Sequence, residues 1–542
     1  MKEIRRNLPL SIETFRTIIE NDYIYVDKTE HILKLISPGK KYFLSRPRRF
    51  GKSLLLSTIE ELFKGNKKLF KGLYAENNWD WTKTFPVVKI NFSTGEYNSN
   101  EELKTSLNDT IQLIANEYNI SLVSKSIASK FKELIRKISE KENKKVVILI
   151  DEYDKAILNN IGNIKVLEDN QATMRSFYSV LKDLDQYIEF LFITGVSKFA
   201  NISLFSDLNS PIDITLNKQF SSICGYTHQE LINCFKEHIN SLTIKLNKNN
   251  EEVIDKINYW YDGYSWDGET KIYSPYSTLE LFFEEKFKNY WFKTATPNSL
   301  IKVFKNSKNY DDILKPVKVS DSYFDDFDFE NIDPISFAFQ TGYLTIAKEE
   351  EINNRIYYTL EFPNYEVESS LLDHLLKLNE EKMDLNDLKP KIIEAIGNYD
   401  NDTFKMYMKY FLTNIPARIH LDHEYYYQSI YLAWLNGLGF KGEGEAQTNI
   451  GLMDMYLETP DFIAIAEFKF SKMKTVTKKG QGKEKRQIKE TKPIKSFDTM
   501  INEALNQINL KKYENKFLNR KVIKIAIVFS GKDVETEIEK VK

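Results

Sequence analysis

Two groups of residues in this 542-residue chain have types and spacing that could do chemistry. The first is Ser45-Arg46-Pro47-Arg48-Arg49-Phe50-Gly51-Lys52-Ser53-Leu54, set between a strand-like run, Lys41–Leu44, and a helix-like run, Ser53–Phe63. Strand, loop, Gly-Lys-Ser and helix is the context a phosphate-binding loop requires. Successive backbone N–H groups and the helix N-terminus would face the phosphates of ATP. Lys52 would reach the β- and γ-phosphates, and the Ser53 hydroxyl would bind Mg²⁺. The generic pattern has a glycine where Arg46 stands, and Pro47 has no N–H, so the motif alone leaves an ordinary strand–turn–helix open. A second run adds weight. Val146–Ile150 is wholly apolar and ends in Asp151-Glu152. A buried strand with an acid at its carboxyl end is where an ATPase holds its Mg²⁺. Asp151 would hold the ion and Glu152 would polarise the attacking water; a solvated acidic turn is the bland alternative. Phe190–Ile193 ends at Thr194-Gly195, and Thr194 suits either a polar sensor near the γ-phosphate or a simple strand end.

The second group lies near the C-terminus. Two β-prone runs, Gly451–Glu458 and Ile463–Lys469, flank Thr459-Pro460-Asp461-Phe462, where proline suits the second position of a tight turn. With Pro460-Asp461 as the tip, Asp454 stands opposite Glu467 on one face, and Lys469, two residues on, shares that face. Two carboxylates side by side repel unless a cation sits between them, and such oxygen ligands suit Mg²⁺ or Mn²⁺. Lys469 would then orient or deprotonate an attacking water. An exposed, salt-bridged hairpin face reads the same way in sequence. Glu445 could add an acid to the site or be a surface charge.

The elements that must position these residues follow from the pattern of the chain. From Met1 to Gly225, strand-like runs (Lys41–Leu44, Val87–Asn91, Val146–Ile150, Glu189–Ile193) alternate with helical stretches such as Glu101–Asn116. That alternation predicts a mostly parallel α/β sheet. Residues 226–304 read as a helical lid with an aromatic turn, Trp260–Gly268, better suited to packing than to stacking bases. Residues 305–383 read as a helix-plus-hairpin module of winged-helix type. A last α/β module, 384–542, contains helix Tyr425–Leu438, the hairpin, helix Phe497–Asn509 and strand Val522–Phe529. Its insert, Lys472–Lys495, holds ten basic residues against Glu484 and Glu490, a local charge of +8. A solvated, mobile loop is one reading and a contact to phosphate backbones the other.

Composition bounds the function classes. Hydrophobic residues make up 42% and aromatics 13%, enough to form cores and to exclude disorder along the whole chain. A net charge of −2 excludes a globally basic nucleic-acid coat but not a local basic groove. Two cysteines exclude a disulfide framework, and six histidines show no metal-ligand spacing. No apolar run is long enough to span a membrane and the start has no signal-peptide core, so the expectation is a soluble, cytoplasmic protein without membrane partners.

Tyr25-Val26-Asp27-Lys28-Thr29 followed by Arg46-Pro47-Arg48-Arg49-Phe50-Gly51-Lys52-Ser53 resembles the AAA-ATPase-like family that is usually fused to a PD-(D/E)xK nuclease-like domain. Further echoes, in order, are Ile193–Phe199, Trp260–Tyr264, Tyr290–Thr294 and Phe362–Val367. In that family the loop with Arg46 is the normal form, and the resemblance implies ATP binding more securely than fast hydrolysis. Asp454, Glu467 and Lys469 then read as the D-x(n)-E-x-K signature. Glu424 resembles the first-motif acid of these domains, and Gln507 stands where the family places a helical Gln beside the active site. One departure is Gly451-Leu452-Met453-Asp454, where the family commonly has Gly-Arg-x-Asp. The resemblance implies an ATPase and a metal-dependent nuclease acting on nucleic acid, DNA before RNA, with homo-oligomerisation open. The alternative is an ATP-switched scaffold or signalling protein whose nuclease-like fold only binds.

Overall fold

The computed structural model describes residues 6–36, 41–198, 211–291, 300, 303, 316–324, 332–371, 385–414, 427, 430–432, 434–435, 441–448, 451–459, 461–471, 473–479, 487–493, 495–517, 520–530 and 533–540. The chain divides into two compact units, Met1–Glu368 and Ser369–Lys542.

The first unit is built on an all-parallel sheet. Its strands are β1 (Lys41–Ser45), β2 (Val87–Asn91), β3 (Val146–Asp151), β4 (Ile188–Gly195) and β5 (Ile212–Asp213), in the order β2-β3-β4-β1-β5. Every residue of β3 is buried, as expected of a strand covered on both faces. Helices Asn100–Glu117, Ile127–Glu142 and Ile164–Ser179 bury Leu103, Leu107, Ile111, Phe131, Leu134, Ile138, Met174 and Phe177 in one core with Ile148 and Ile150. The spacing of these apolar residues is helical, and Ser99, Ser126 and Asn163 cap the three helices through their side chains. The order places β4 between β1 and β3. Thr194 therefore emerges between the loop after β1 and the acids after β3, at the carboxyl ends where parallel sheets place their ligands.

A second core of the same unit joins Ile24 and Val26 to helices His228–Cys234, Lys236–Leu246, Asn250–Tyr261 and Pro275–Glu284. β6 (Tyr226–Thr227) pairs with β7 (Ile272–Tyr273), and Thr227 with Glu230 and Asn249 with Glu252 form capping boxes. Further on, β8 (Val317–Ser320), β10 (Arg355–Glu361) and β9 (Thr345–Ile352) form a three-stranded antiparallel sheet in that order, with helix Pro334–Thr341 between β8 and β9 in the chain.

The second unit holds a mixed sheet in the order β11 (Lys441–Thr448), β12 (Gly451–Glu458), β13 (Ile463–Phe470), β16 (Val522–Ser530) and β17 (Asp533–Lys540). Only β13 and β16 run parallel. On β13 the side chains alternate. Ile463 and Ile465 pack with Ile508 and Tyr513 from the side of helix Phe497–Leu510, while Phe468 stacks on Phe529 beside Tyr431. The edge strands β11 and β17 were not expected from the sequence. The basic insert, one of whose readings was a mobile loop, instead folds in part as an antiparallel ribbon, β14 (Met473–Lys479) with β15 (Gln487–Pro493). Thr475, Val476, Thr477, Ile488 and Thr491 give that ribbon the β-branched residues a strand favours.

Candidate active sites

The loop after β1 is held from behind. Arg46 continues the β1–β4 ladder, its N–H donating to Gly195 O at 3.1 Å. Its side chain turns inward and is fully buried. The guanidinium donates to the carbonyls of Ser45 (2.8 Å), Thr215 (2.9 Å) and Phe220 (3.2 Å), and lies 4.0 Å over the Trp266 ring. Burial pulls its pKa down to about 10, still charged at neutral pH. The residue that departs from the generic glycine is therefore a tie-bar of the fold. Phe50 is likewise fully buried, edge-on to Tyr264 (4.7 Å) and Trp266 (5.5 Å), so the Trp260–Gly268 turn packs on the loop. Trp291 Nε1 donates to Arg48 O at 3.1 Å, and the Arg49 guanidinium lies over Tyr276 at 5.5 Å.

Arg49 (φ 69°) and Gly51 (φ 88°) turn the backbone through the left-handed region immediately before the helix Lys52–Phe63. Lys52 is buried and donates to the carbonyls of Arg46 (2.9 Å) and Pro47 (3.0 Å). Burial pulls its pKa down, while the charges of Asp151, Glu152 and Asp154 work the other way. Ser53 and Leu54, in the first helical turn, are half-buried.

Across from this loop, Thr194 Oγ1 donates to Asp151 Oδ1 at 2.7 Å, and Glu152 N–H donates to the same oxygen at 3.1 Å. Asp151 Oδ2 is buried with no donor. A buried carboxylate oxygen without a partner fits a cation ligand. Glu152 adopts φ 53°, uncommon for a non-glycine residue and characteristic of functional turns. Its carboxylate lies 3.8 Å from Lys155 Nζ. Asp154 went unnoticed in the sequence reading. It is buried and accepts from Val196 N (3.0 Å), Ser197 N (2.7 Å) and Ser197 Oγ (2.8 Å), tying the turn after β3 to the exit of β4. The only sequence signal was a third acid, after Asp151 and Glu152, three residues beyond Asp151.

In the second unit, β12 and β13 pair Met455 with Ala466, Tyr456 with Ile465 and Leu457 with Ala464. Continuing that register sets Asp454 opposite Glu467. The two carboxyl groups lie within hydrogen-bonding reach of each other. Asp454 Oδ2 accepts the Phe468 N–H at 2.9 Å, and Lys469 Nζ donates to Glu467 Oε1 and Phe468 O, both at 3.0 Å. Glu467 is fully buried and its Oε2 has no donor. Burial first, then the Asp454 charge, pushes its pKa up to about 7; burial also raises Asp454. Two crowded carboxyl groups with an unpartnered oxygen suit a divalent ion.

Gln507 reaches this site through Tyr513, whose hydroxyl it hydrogen-bonds and whose buried ring lies in the field of Glu467 and Asp454. β11 pairs Gly444 with Met455 and Ala446 with Met453, so Glu445 stands opposite Asp454. Positions 445, 454 and 467 thus form one row across three strands. Glu424 lies outside the described residues, as does Pro460 at the hairpin tip. Among the described residues no cluster of three or more His, Cys, Asp or Glu side chains is assembled, and no helix is long and apolar enough to cross a membrane.

Fold and sites together define the class: a P-loop-type parallel sheet in one unit, and in the other a mixed sheet carrying Asp and Glu-x-Lys on a hairpin. Residues 9–205 match the AAA-ATPase-like family model, described as a predicted AAA-ATPase, and residues 422–539 match the PD-(D/E)XK nuclease superfamily model. The chain is 34% identical over 472 residues to an uncharacterized protein in the vnfD 5′ region of Azotobacter chroococcum mcd 1, covering 86% of this chain and 89% of that relative. The chain belongs to the AAA-ATPase-like family that carries a C-terminal PD-(D/E)XK nuclease-like domain.

Proposed function

We propose that the chain is an ATP-binding protein whose C-terminal domain is a metal-dependent nuclease regulated by the nucleotide. The observation that carries this reading is the pairing of half-buried Asp454 with fully buried Glu467, with Lys469 Nζ 3.0 Å from Glu467 and a Glu467 carboxylate oxygen left without a donor. Asp454 and Glu467 would hold Mg²⁺ or Mn²⁺. When bound, the ion supplies Lewis-acid charge toward the phosphodiester and acidifies water. Lys469, already fixed on Glu467, orients the attacking water and offsets charge on the phosphate in the transition state. Gln507 and Tyr513 hold the helix side of the pocket in place. Glu424 and Glu445 are the candidates for a further acid.

In the first unit, Lys52 would exchange the Arg46 and Pro47 carbonyls for the β- and γ-phosphates of ATP. The residues from Arg48 to Leu54 wrap the phosphates with backbone N–H groups. Ser53 and Asp151 would hold Mg²⁺, Thr194 fixes the Asp151 carboxylate, and Glu152 takes the proton of the attacking water. The expected polymer substrate is nucleic acid. Leu452, in place of the family's arginine, favours a second reading in which the nuclease-like fold binds nucleic acid or a partner without cutting. Incubating purified protein with circular and linear DNA and RNA, with and without Mg²⁺, Mn²⁺ and ATP, separates the two. Cleavage that needs a divalent ion and disappears in Asp454→Ala supports the first; binding without cleavage in every condition supports the second.

A further inference from the structure

Glu366 stands in the first turn of the helix 365–371, which runs across the border between the first unit, ending at Glu368, and the second, beginning at Ser369. Asn364 caps that helix, its Oδ1 accepting the Val367 N–H at 3.2 Å. The Glu366 side chain is fully buried among residues of the first unit. One carboxylate oxygen accepts the Ser277 hydroxyl at 2.6 Å. The other accepts the backbone N–H groups of Tyr290 and Trp291, the latter at 2.7 Å. Burial pushes the Glu366 pKa up to about 7 against the pull of these hydrogen bonds. An acid is thus kept where burial opposes its charge, and what it grips there is one short stretch of backbone, 290–291.

That stretch delivers the Trp291 ring to the loop after β1. The ring is fully buried, edge-on to Tyr343 at 5.2 Å, and its Nε1 donates to Arg48 O at 3.1 Å. Gly342, just past helix Pro334–Thr341, comes against the same loop. A Cβ built there would lie 2.6 Å from Pro47 Cβ and Cγ and 3.2 Å from Trp291 Cζ2, so the approach admits only glycine. Two residues earlier, Gln340 Oε1 accepts the Lys198 N–H at 2.6 Å, beyond the exit of β4. Pro47 and Arg48 are therefore seated on Gly342 and Trp291, and Trp291 is seated on Glu366.

We propose that Glu366, acting through Trp291, is a positioning residue for the nucleotide loop, and that this relay links the loop's occupancy to the helix 365–371. The proposal rests on the reading of that loop as an ATP site and adds the route by which nucleotide is felt at the border of the second unit. Without nucleotide, Lys52 holds the Arg46 and Pro47 carbonyls. When Lys52 leaves them for phosphate, the Arg48 carbonyl, gripped by Trp291, stays as a fixed point. From it the N–H groups that follow are aimed at the phosphates. A loop already held in its binding shape loses less freedom when the ligand arrives, so the grip raises affinity. Coupling of this kind is reciprocal: what the relay contributes to nucleotide binding, the nucleotide contributes to the relay, and so to the helix at Glu366.

The test uses the full chain and Mg²⁺-ATP, with calorimetry for affinity and hydrogen–deuterium exchange, read by mass spectrometry, across 365–371. Trp291→Phe keeps a ring and removes the N–H; it should weaken ATP binding about two- to tenfold, the worth of one hydrogen bond. Glu366→Ala should weaken it at least as much. Glu366→Gln, whose amide oxygen still accepts from residues 290 and 291, should recover most of that loss. Saturating ATP should slow exchange across 365–371 in the wild type and in Glu366→Gln, and leave it unchanged in Trp291→Phe. A merely structural role would lower the melting temperature without touching that response. Should Glu366→Ala fail to fold, Trp291→Phe and Glu366→Gln decide. Wild-type affinity in Trp291→Phe, or a response at 365–371 that survives in it, overturns the relay, while binding that depends on Lys52 leaves the ATP site standing. ATP binding that is absent in the wild type, or unchanged in Lys52→Ala, overturns the ATP reading and the relay with it.

Discussion

The two sites each place a lysine near acids, buried for Lys52 and half-buried for Lys469, yet they park it differently. In the first unit Lys52 rests on two neutral carbonyls, Arg46 O and Pro47 O, and Asp151 is held by the Thr194 hydroxyl and a backbone N–H. In the second, Lys469 sits directly on Glu467, which in turn crowds Asp454. A lysine on carbonyl dipoles can move to an incoming phosphate without abandoning an opposite charge. A lysine on a carboxylate is already part of an electrostatic balance, and changing any member of it shifts the others. On the proposed reading, the first site is arranged for capture and the second for holding a cation against repulsion.

The largest effect should come from the second site. Asp454→Ala should abolish phosphodiester cleavage while leaving the metal-free protein as stable as before or more so near neutral pH, because one of two repelling carboxylates is gone. Lys469→Ala should also stop cleavage but lower the melting temperature of the metal-free protein, since the carboxyl pair loses its cation. If both variants melt alike, the distinction between the two kinds of parking is lost. Next, Glu152→Gln should cost about 10²–10⁴ in ATP turnover with binding retained, the amide keeping the shape but taking no proton; undiminished turnover would remove Glu152 as the base. Smaller again, Lys52→Ala removes a charge-assisted contact of roughly 1.5–3 kcal/mol, or about ten- to a hundredfold in ATP affinity by calorimetry.

The smallest effect sharpens the comparison through pH. The Glu467 pKa is raised to about 7 in the fold, so its contribution to stability is complete below the ordinary glutamate value and is lost as pH rises through 7. Metal-free melts should therefore weaken by roughly 1–3 kcal/mol between pH 5 and 8. Divalent metal, or Asp454→Asn, should make that slope shallower, with the burial of Glu467 keeping part of it in the variant. A flat profile without metal would mean the pair is not repelling.

Much of this arrangement was legible because buried parallel strands leave continuous apolar runs. β2 was read to the residue, and β1 and β3 fell one residue short, at Ser45 and Asp151. The hairpin face was legible for a different reason: strand alternation and a tight turn fix which residues oppose each other. What escaped has physical causes. β11 (KGEGEAQT) and β17 (DVETEIEK) are edge strands: β11 has two glycines and no large apolar residue, and β17 alternates acids with only Val534, Thr536 and Ile538 buried, so neither has a strong apolar run. Arg46 read as a defect in a motif, because its partners Thr215, Phe220 and Trp266 lie far along the chain. Asp154 and Tyr513 act through hydrogen bonds and proximity that no local pattern encodes.

That placement of Arg46 has a consequence for the order in which the protein can be made. The carbonyls that receive its guanidinium, at Thr215 and Phe220, lie about 170 residues after it, and the Trp266 ring beneath it lies farther still. At about 5–20 residues per second a ribosome needs roughly 10–45 s to travel from Arg46 to Trp266. Through that interval a nascent chain has its strand β1 but not the groups that let an arginine lie inside the loop. The loop proposed to hold the nucleotide is thus completed late in synthesis, and a fragment cut at residue 205 would carry the loop sequence without the interior that shapes it.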